Sequence, residues 1–273
     1  MEIYPNIHNI VSENKTGQGI TNAYLVTGIT GSVLIDTGWK SDEQSERIIS
    51  YIDQLGCASL KYIIITHRHP PHWGNAEFVK RHNDAAIIST EIEAPYINDY
   101  FENYKVDIEI DDNFDIDLGN FEISVIKTPG HTSGTLAVFE KENKYLFPGD
   151  TVMGKGTSVI NPEDGKIADY LETIENFIKI EPKVIFPGQG DPITKTQEKL
   201  TGLIVHRADR EQEIINLLKQ KESSVEELFA QIYDNLSEWL SHLAKNQITS
   251  HLIKLEDEGK VTKDQNMYKL IDF

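Results

Sequence analysis

The chain has 273 residues, which is long enough for one large α/β domain or for a medium-sized domain with a small second one. Acidic residues outnumber basic ones by 44 to 26. The resulting net charge of −18 opposes attraction to nucleic acid and to anionic membrane surfaces. A polynucleotide substrate is therefore disfavoured, although this charge still allows a local basic groove.

The chain shows no pattern of membrane insertion or of secretion. No stretch approaches the roughly 18 unbroken apolar residues that a membrane span needs. Residues 1–15 have neither the basic region nor the apolar region of a signal peptide. A single cysteine, Cys57, excludes an intramolecular disulfide and a cysteine-based zinc cluster. We therefore expect a cytoplasmic protein.

The first predicted elements are a strand pair and a helix. Residues 23–38 contain two β-rich runs joined by Gly-Ile-Thr-Gly, which is typical of a hairpin. Ser41 and Gln44 follow in the pattern of a capping box, and apolar residues then recur at helical spacing. This pattern predicts a helix that ends at Gly56.

Strand and helix patterns alternate through the rest of the first 205 residues. Helices are predicted near residues 75–82 and at residues 167–180. Strands are predicted in YIIIT (62–66), AAIIST (85–90), FEISVIKTPG (121–130), TLAVFE (135–140), KYLFPGD (144–150) and KVIFPGQG (183–190). This alternation indicates a layered α/β domain over residues 1–205.

Residues 206–273 have a different pattern, of three helices and a hairpin. Helices are predicted in RADREQEIINLLKQK, in VEELFAQIY after Ser224, and around residues 243–257. KVTK and MYKLI then flank a DQN turn. This order is typical of a winged-helix unit, which can also serve as a packing or dimerisation appendage. Acidic residues outnumber basic ones here, which disfavours DNA binding.

Metal-binding side chains follow three of the predicted strands. His67 and His69 lie two residues apart behind YIIIT, and His72 lies three further on, at the start of a predicted helix. His131 and Asp150 each follow another strand, in TPGHT and FPGDT. Three imidazoles and one carboxylate, from His67, His69, His131 and Asp150, suit a catalytic Zn²⁺ or Fe²⁺ site that keeps one position open for water.

The ordered motifs resemble those of the metallo-β-lactamase superfamily. They are IDTG (35–38), THRHPPHWGN (66–75), TPGHT (128–132), FPGDT (147–151) and FPGQG (186–190). The resemblance implies an αββα sandwich with a hydrolytic site at one edge. Three further segments, GDTVMGKGTSVI, HRADREQEII and HLIKLEDEGKV, resemble the lactamase-β-like protein 2 branch. That branch carries a C-terminal winged-helix-like domain and includes endoribonucleases.

Two positions depart from the superfamily pattern, and both belong to its second metal site. The pattern HxHxDH has Pro71 at its aspartate, and the later PGHG motif has Gln189 at its histidine. An amide is a neutral and weaker ligand than imidazole, and a proline side chain offers none. All four ligands of the first site are retained. We therefore predict one Zn²⁺ or Fe²⁺ ion per chain, with zinc favoured, and a second site that is absent or weak.

If the second metal ion is absent, His72 and Asp36 need roles other than those of a two-metal site. One ion can still lower the pKa of a bound water toward about 7, but a side chain must then assist the leaving group. His72 is the candidate acid or base because its reference pKa is near neutrality, and a helix N-terminal hydrogen-bonding role is the alternative. Asp150 is the second candidate catalytic residue, and Asp36 is expected to steady the histidine loop.

The predicted function is that of a mononuclear metal-dependent hydrolase acting on an ester or thioester bond of a small acyl substrate. Phosphodiester cleavage depends most on two metals, so an endoribonuclease-like activity is a weaker alternative. A mononuclear iron oxygenase, as in the persulfide dioxygenases of the superfamily, is another. A non-catalytic protein that binds a metal or a ligand is the last. The sequence leaves the oligomeric state open.

Overall fold

The computed structural model describes residues 1–13, 19–56 and 59–271. Cys57 lies outside the described residues. The α-carbons group into two compact units. Unit 1 comprises Met1–Thr128, Gly134–Thr157 and Ile180–Thr196, and unit 2 comprises Pro129–Ser133, Ser158–Lys179 and Gln197–Phe273. No helix in the described part of the chain is both long and apolar enough to cross a membrane.

Unit 1 contains two β-sheets. The first has seven strands in the order β1 to β7, with these bounds: β1 Glu2–Tyr4, β2 Ile7–Glu13, β3 Ile20–Thr27, β4 Ser32–Ile35, β5 Leu60–Ile64, β6 Ala86–Thr90 and β7 Ile108–Ile110. The second has five strands in the order β12-β11-β10-β9-β8, with these bounds: β8 Phe114–Asp117, β9 Glu122–Lys127, β10 Leu136–Glu140, β11 Tyr145–Phe147 and β12 Val184–Ile185. The predicted hairpin is confirmed, since β3 and β4 pair antiparallel with Val26 opposite Val33.

The core of unit 1 lies between these sheets and on the outer face of the first. Buried residues of both sheets, including Tyr24, Val125 and Phe147, form one apolar cluster. A second cluster joins the first sheet to helices α1 Asp42–Leu55, α3 Ala76–Asn83 and α4 Ala94–Asn98. Strands β4 to β7 run parallel, so the chain segments that leave them emerge at one edge of the sheet.

Helix α1 forms largely as its sequence predicts. The Ser41 side chain accepts a hydrogen bond from the Gln44 N–H, and Gly56 ends the helix in the left-handed conformation. The Gln44 side chain donates to the Val11 carbonyl, and thereby ties the start of the helix to β2. The short helix α2, Pro70–Trp73, begins directly after His69 and contains His72. Its two prolines occupy the first helical turn, where proline is tolerated because those N–H groups have no helical partner.

Unit 2 consists mainly of helices with a C-terminal hairpin. The elements are α5 Ile167–Ile180, α6 Thr196–Leu218, α7 Val225–Ile232, α8 Glu238–Asp257, β13 Val261–Asp264 and β14 Met267–Leu270. The predicted capping box of α7 is present, with Ser224 and Glu227 bonding reciprocally. Residues of α6, α7, α8 and the hairpin share one core around Leu252. Helix α6 begins ten residues before the predicted boundary at 205/206 and crosses it without a break.

Candidate metal centre

Four of the predicted site residues lie together in unit 1, on segments that follow the strands. His67 and His69 lie in the loop after β5, with ring centroids 4.7 Å apart. The His72 ring lies 4.0 Å from that of His67. One ligand atom each from His67, His72 and Asp150 lies within 4.8 Å of the others, and all three residues are buried. His131 belongs to unit 2, and its place in the ligand set stays a prediction.

The Asp36 carboxylate holds this histidine loop, as predicted. It accepts hydrogen bonds from the Thr66 N–H at 2.8 Å, the Thr66 hydroxyl at 2.9 Å and His72 Nδ1 at 2.7 Å. The residue itself is 2 % exposed. Asp36 follows β4, which runs parallel to β5, so its carboxylate meets the loop that leaves the neighbouring strand.

The same carboxylate determines the protonation of the His67 ring. The Thr66 hydroxyl has one hydrogen and gives it to Asp36, so it accepts from His67 Nδ1, which lies 2.9 Å away. Nδ1 of His67 therefore carries the proton, and the lone pair is on Nε2. His72 likewise donates from Nδ1 and directs Nε2 toward Asp150. His67 thus presents the nitrogen that a metal ion requires, whereas His72 does so only in its neutral form.

Asp150 lies on a 3₁₀ turn, Gly149–Thr151, after β11. Its Oδ2 accepts a 2.6 Å hydrogen bond from Gln189 Nε2 and lies 3.4 Å from His72 Nε2. Gly188 leaves room here, since an added Cβ would lie 2.6 Å from Asp150 Oδ1 and 3.0 Å from His72 Cε1. Pro71 makes a backbone contact, accepting from the Thr21 hydroxyl at 3.5 Å.

Burial and the two nearby carboxylates shift the pKa of His72 in opposite directions. Burial lowers the pKa of its imidazole, but the charges of Asp150 and Asp36, together with their hydrogen bonds, overcome this and raise the pKa to about 10. In the metal-free protein His72 is therefore cationic at neutral pH. A proton held between two buried carboxylates offsets their mutual repulsion.

A salt bridge between Arg68 in the histidine loop and Glu93 at the start of α4 holds this loop. Glu93 is fully buried and accepts from Arg68 at three points: the N–H at 2.7 Å, Nη2 at 2.8 Å and Nε at 2.9 Å. It also accepts from the Gly134 N–H at 2.9 Å. The contact of Glu93 with Arg68 and that of Gln189 with Asp150 were not predicted from the sequence. No local pattern links residues so far apart in the chain.

His131 is held by its own surroundings in unit 2. Its Nδ1 lies 2.8 Å from the Val159 carbonyl oxygen and 3.0 Å from Ser158 Oγ. A carbonyl oxygen only accepts, so Nδ1 carries the proton and the lone pair is on Nε2. His131 thus has the tautomer that a metal ligand needs.

The donor set described here suits a divalent metal ion. Buried imidazole nitrogens and a carboxylate are ligands of zinc and of iron alike, and Gly188 preserves space beside them. His67, His69 and Asp150 would hold such an ion from unit 1.

Replacing Asp36 with asparagine is expected to weaken zinc binding by about 10- to 100-fold, the usual effect of losing a group that orients a ligand. The amide is neutral and cannot accept from Thr66 and His72 in the same way. Asparagine also tolerates the left-handed backbone at this position, where φ is +58°. Competition with a chelator measures the dissociation constant. Thr66→Ser, which keeps the hydroxyl, is the control, and equal affinities in Asp36→Asn and the control would contradict this role.

The metal-free protein is expected to lose stability as pH rises. The folded pKa of His72, about 10, exceeds its reference value of 6.5. Its contribution is therefore complete below pH 6.5 and is lost as pH rises toward about 10. Urea unfolding across this window should show a decline in the free energy of unfolding that is smaller in His72→Gln. Parallel pH profiles for the two proteins would show that His72 holds no extra proton.

Comparisons with known proteins agree with this fold. Residues 16–189 match the family model of the metallo-beta-lactamase superfamily, and residues 224–269 match that of the beta-lactamase associated winged helix domain. A beta-lactamase-like protein 2 homolog of Caenorhabditis elegans is 30% identical over 244 residues, which cover 88% of this chain and 80% of the relative. An atrochrysone carboxyl ACP thioesterase of Cryptosporiopsis is 24% identical, with 95% and 82% covered.

A solved structure extends the likeness to the whole fold. A beta-lactamase domain protein from Burkholderia ambifaria superposes with a TM-score of 0.88 at 17% identity, over 99% of this chain and 93% of that one. The expected fold class, a mixed α/β sandwich followed by a winged-helix domain, is thereby confirmed. The chain belongs to the metallo-β-lactamase superfamily, as a hydrolase with a C-terminal winged-helix domain.

Proposed function

We propose that this protein is a mononuclear metal-dependent hydrolase that cleaves an ester or thioester bond of a small acyl substrate. The metal ligands in this proposal are His67, His69, His131 and Asp150, with zinc favoured over iron. A bound ion of this kind supplies Lewis acidity, which lowers the pKa of water toward about 7.

The contacts of Asp150 are the observation that supports a single ion. Gln189 donates its amide hydrogen to Asp150 Oδ2 at 2.6 Å, on the side where the superfamily pattern has a histidine. His72 Nε2 lies 3.4 Å from the same oxygen, and Pro71 brings no ligand atom. Protein donors thus occupy one oxygen of the Asp150 carboxylate, the group that two ions would have to share, and this favours one ion per chain.

His72 is the proposed proton carrier for the leaving group. Its Nδ1 is hydrogen-bonded to Asp36, which orients the ring and leaves Nε2, beside Asp150, to donate or accept a proton. A thiolate leaves more readily than an alkoxide, and an acyl carbon lacks the negative charge with which a phosphodiester repels hydroxide, so one ion and one proton carrier can suffice for an acyl bond. The thioesterase named among the relatives points to the same class of acyl bond.

Metal analysis combined with three assays tests this proposal. Protein purified without added metal should contain about one zinc per chain and hydrolyse an acyl thioester of N-acetylcysteamine. Removal of the zinc by a chelator should abolish turnover, and zinc alone should restore it. Two tightly bound ions per chain would contradict the mononuclear site. One iron with oxygen uptake, or cleavage of single-stranded RNA without thioester turnover, would contradict the reaction class.

A matched pair of variants separates the role of His72 from that of the metal ligands. His72→Gln should keep the zinc and lose about 100-fold in kcat, because general acid assistance contributes roughly that much. The His69→Gln variant should lose zinc as well as activity. Loss of zinc in both variants would show that His72 is a ligand and not the proton carrier.

A further inference from the structure

The segment formed by residues 158–165 connects His131 to the helices of unit 2. On one side its backbone accepts from the His131 loop, since Ser133 donates from its N–H and its hydroxyl to the Asp164 carbonyl at 2.7 and 2.8 Å. Val159 accepts from His131 Nδ1 in the same way. The position of this segment therefore determines the position of the imidazole.

The other side of the segment is held by side chains of α6 and α8. Arg207 on α6 is 3 % exposed and donates from Nη2 to the Ser158 carbonyl at 2.6 Å. Its Nη1 donates to Gln247 Oε1 at 2.7 Å. Gln247 then donates to the Ile160 carbonyl at 2.9 Å, and Ser250 donates to the same oxygen at 2.7 Å. The carbonyls on both sides of Val159 are thus fixed by the C-terminal helices.

Arg207 also contacts Tyr170, whose backbone packs against the residue before His131. Its guanidinium carbon lies 5.2 Å from the centre of the Tyr170 ring. The Tyr170 backbone packs against Gly130, where φ is +140° and an added Cβ would lie 2.4 Å from the Tyr170 Cα. Only glycine fits so close an approach. Arg207 therefore contacts two independent supports of His131, Ser158 and Tyr170.

We propose that Arg207 is a positioning residue, through which the C-terminal helices hold His131 in its metal-binding tautomer. The planar guanidinium bonds to Ser158 and Gln247 at once, which a lysine ammonium does not reproduce in this geometry. The proposal rests on the proposed function only in treating His131 as a metal ligand. It gives the winged-helix part of the chain a role in the chemistry of the site.

Zinc affinity of the full-length protein gives the first test. The zinc dissociation constant of Arg207→Met should rise by about 10- to 100-fold over wild type, the usual effect of losing an orienting contact. The zinc dissociation constant of Arg207→Lys should lie between those of wild type and Arg207→Met, because the lysine ammonium reaches one acceptor. Arg210 is one turn further along α6 and bonds to Glu213, so Arg210→Gln is the matched control and should keep wild-type affinity.

The protonation of the His131 ring gives a second readout, which does not depend on metal. In zinc-free protein the ring nitrogens of His131, assigned by their loss in His131→Asn, should show a proton on Nδ1 in wild type. In Arg207→Met they should show a mixture of both tautomers. A folded Arg207→Met protein with wild-type zinc affinity and an unchanged ring would overturn the proposal.

Two further variants separate the possible failures. If Arg207→Met does not fold, Gln247→Leu is the substitute, because it removes one Arg207 acceptor and one donor to Ile160. Unchanged zinc affinity and an unchanged protonation of the His131 ring in Gln247→Leu would overturn the proposal. Unchanged zinc affinity in His131→Ala would instead refute the proposed ligand set. The ring nitrogens of His131 would still decide whether Arg207 positions it.

Discussion

A chain carrying both Pro71→Asp and Gln189→His is expected to bind about two metal ions where the wild-type protein binds about one. The two changes supply a carboxylate beside His72 and an imidazole in place of the amide that now donates to Asp150. They also remove the hydrogen bond that Gln189 donates to Asp150 Oδ2. Elemental analysis after dialysis against metal-free buffer measures the stoichiometry.

The neighbouring proline provides the control for this experiment. Pro70→Asp places a carboxylate one residue earlier in the same short helix, at an exposed position, and should leave the stoichiometry at about one. The single variant Gln189→His should give a partial and weakly held second ion. Two ions in the wild-type protein, or one ion in the double variant, would show that Pro71 and Gln189 do not limit the metal content.

Replacing Asp150 with asparagine is expected to lower kcat/KM by about 1,000-fold or more, beyond the effect of losing an orienting group alone. The change removes a buried negative charge that faces His67 and His72, and it is nearly isosteric. The asparagine amide also meets the Gln189 amide, so one hydrogen bond is lost or reversed. Zinc content and thioester turnover should fall together.

An exposed aspartate serves as the comparison for Asp150. Asp117 lies at the end of β8 and bonds to the Gly119 N–H, so Asp117→Asn should retain zinc and activity. Thermal unfolding of both variants checks that each is folded. An Asp150→Asn protein that keeps its zinc and turns over at the wild-type rate would place the reaction outside this site.

Local patterns predicted the elements that have strong periodicity or clear ends. Helix α5 occupies Ile167–Ile180 as predicted, because its apolar residues recur at helical spacing on a buried face. The Ser224 capping box and the hairpin β13–β14 were also recognised from short-range chemistry. In each case the interaction that forms the element joins residues close together in the chain.

Some elements that depend on distant partners were not predicted. Strands β1, β2, β7 and β8 went unrecognised. Three of these are only three or four residues long, and each takes its strand form from pairing with a neighbour in the sheet. Helix α6 begins eleven residues before the predicted start at Arg207, because its first turns carry polar residues as well as the apolar Leu200 and Leu203 that it buries.

The sequence by itself determined the family, the order of the metal-binding motifs and the two departures, Pro71 and Gln189, since these are properties of residue type and spacing. The tertiary structure decided what those residues do. It shows Gln189 donating to Asp150, His72 held between Asp36 and Asp150, and Arg207 reaching Ser158 behind His131. These contacts join residues 36 to 78 positions apart, except for Ser158 and His131, which are 27 apart. Hydrogen bonds across such separations exist only once the sheets and helices are packed, so no local pattern records them.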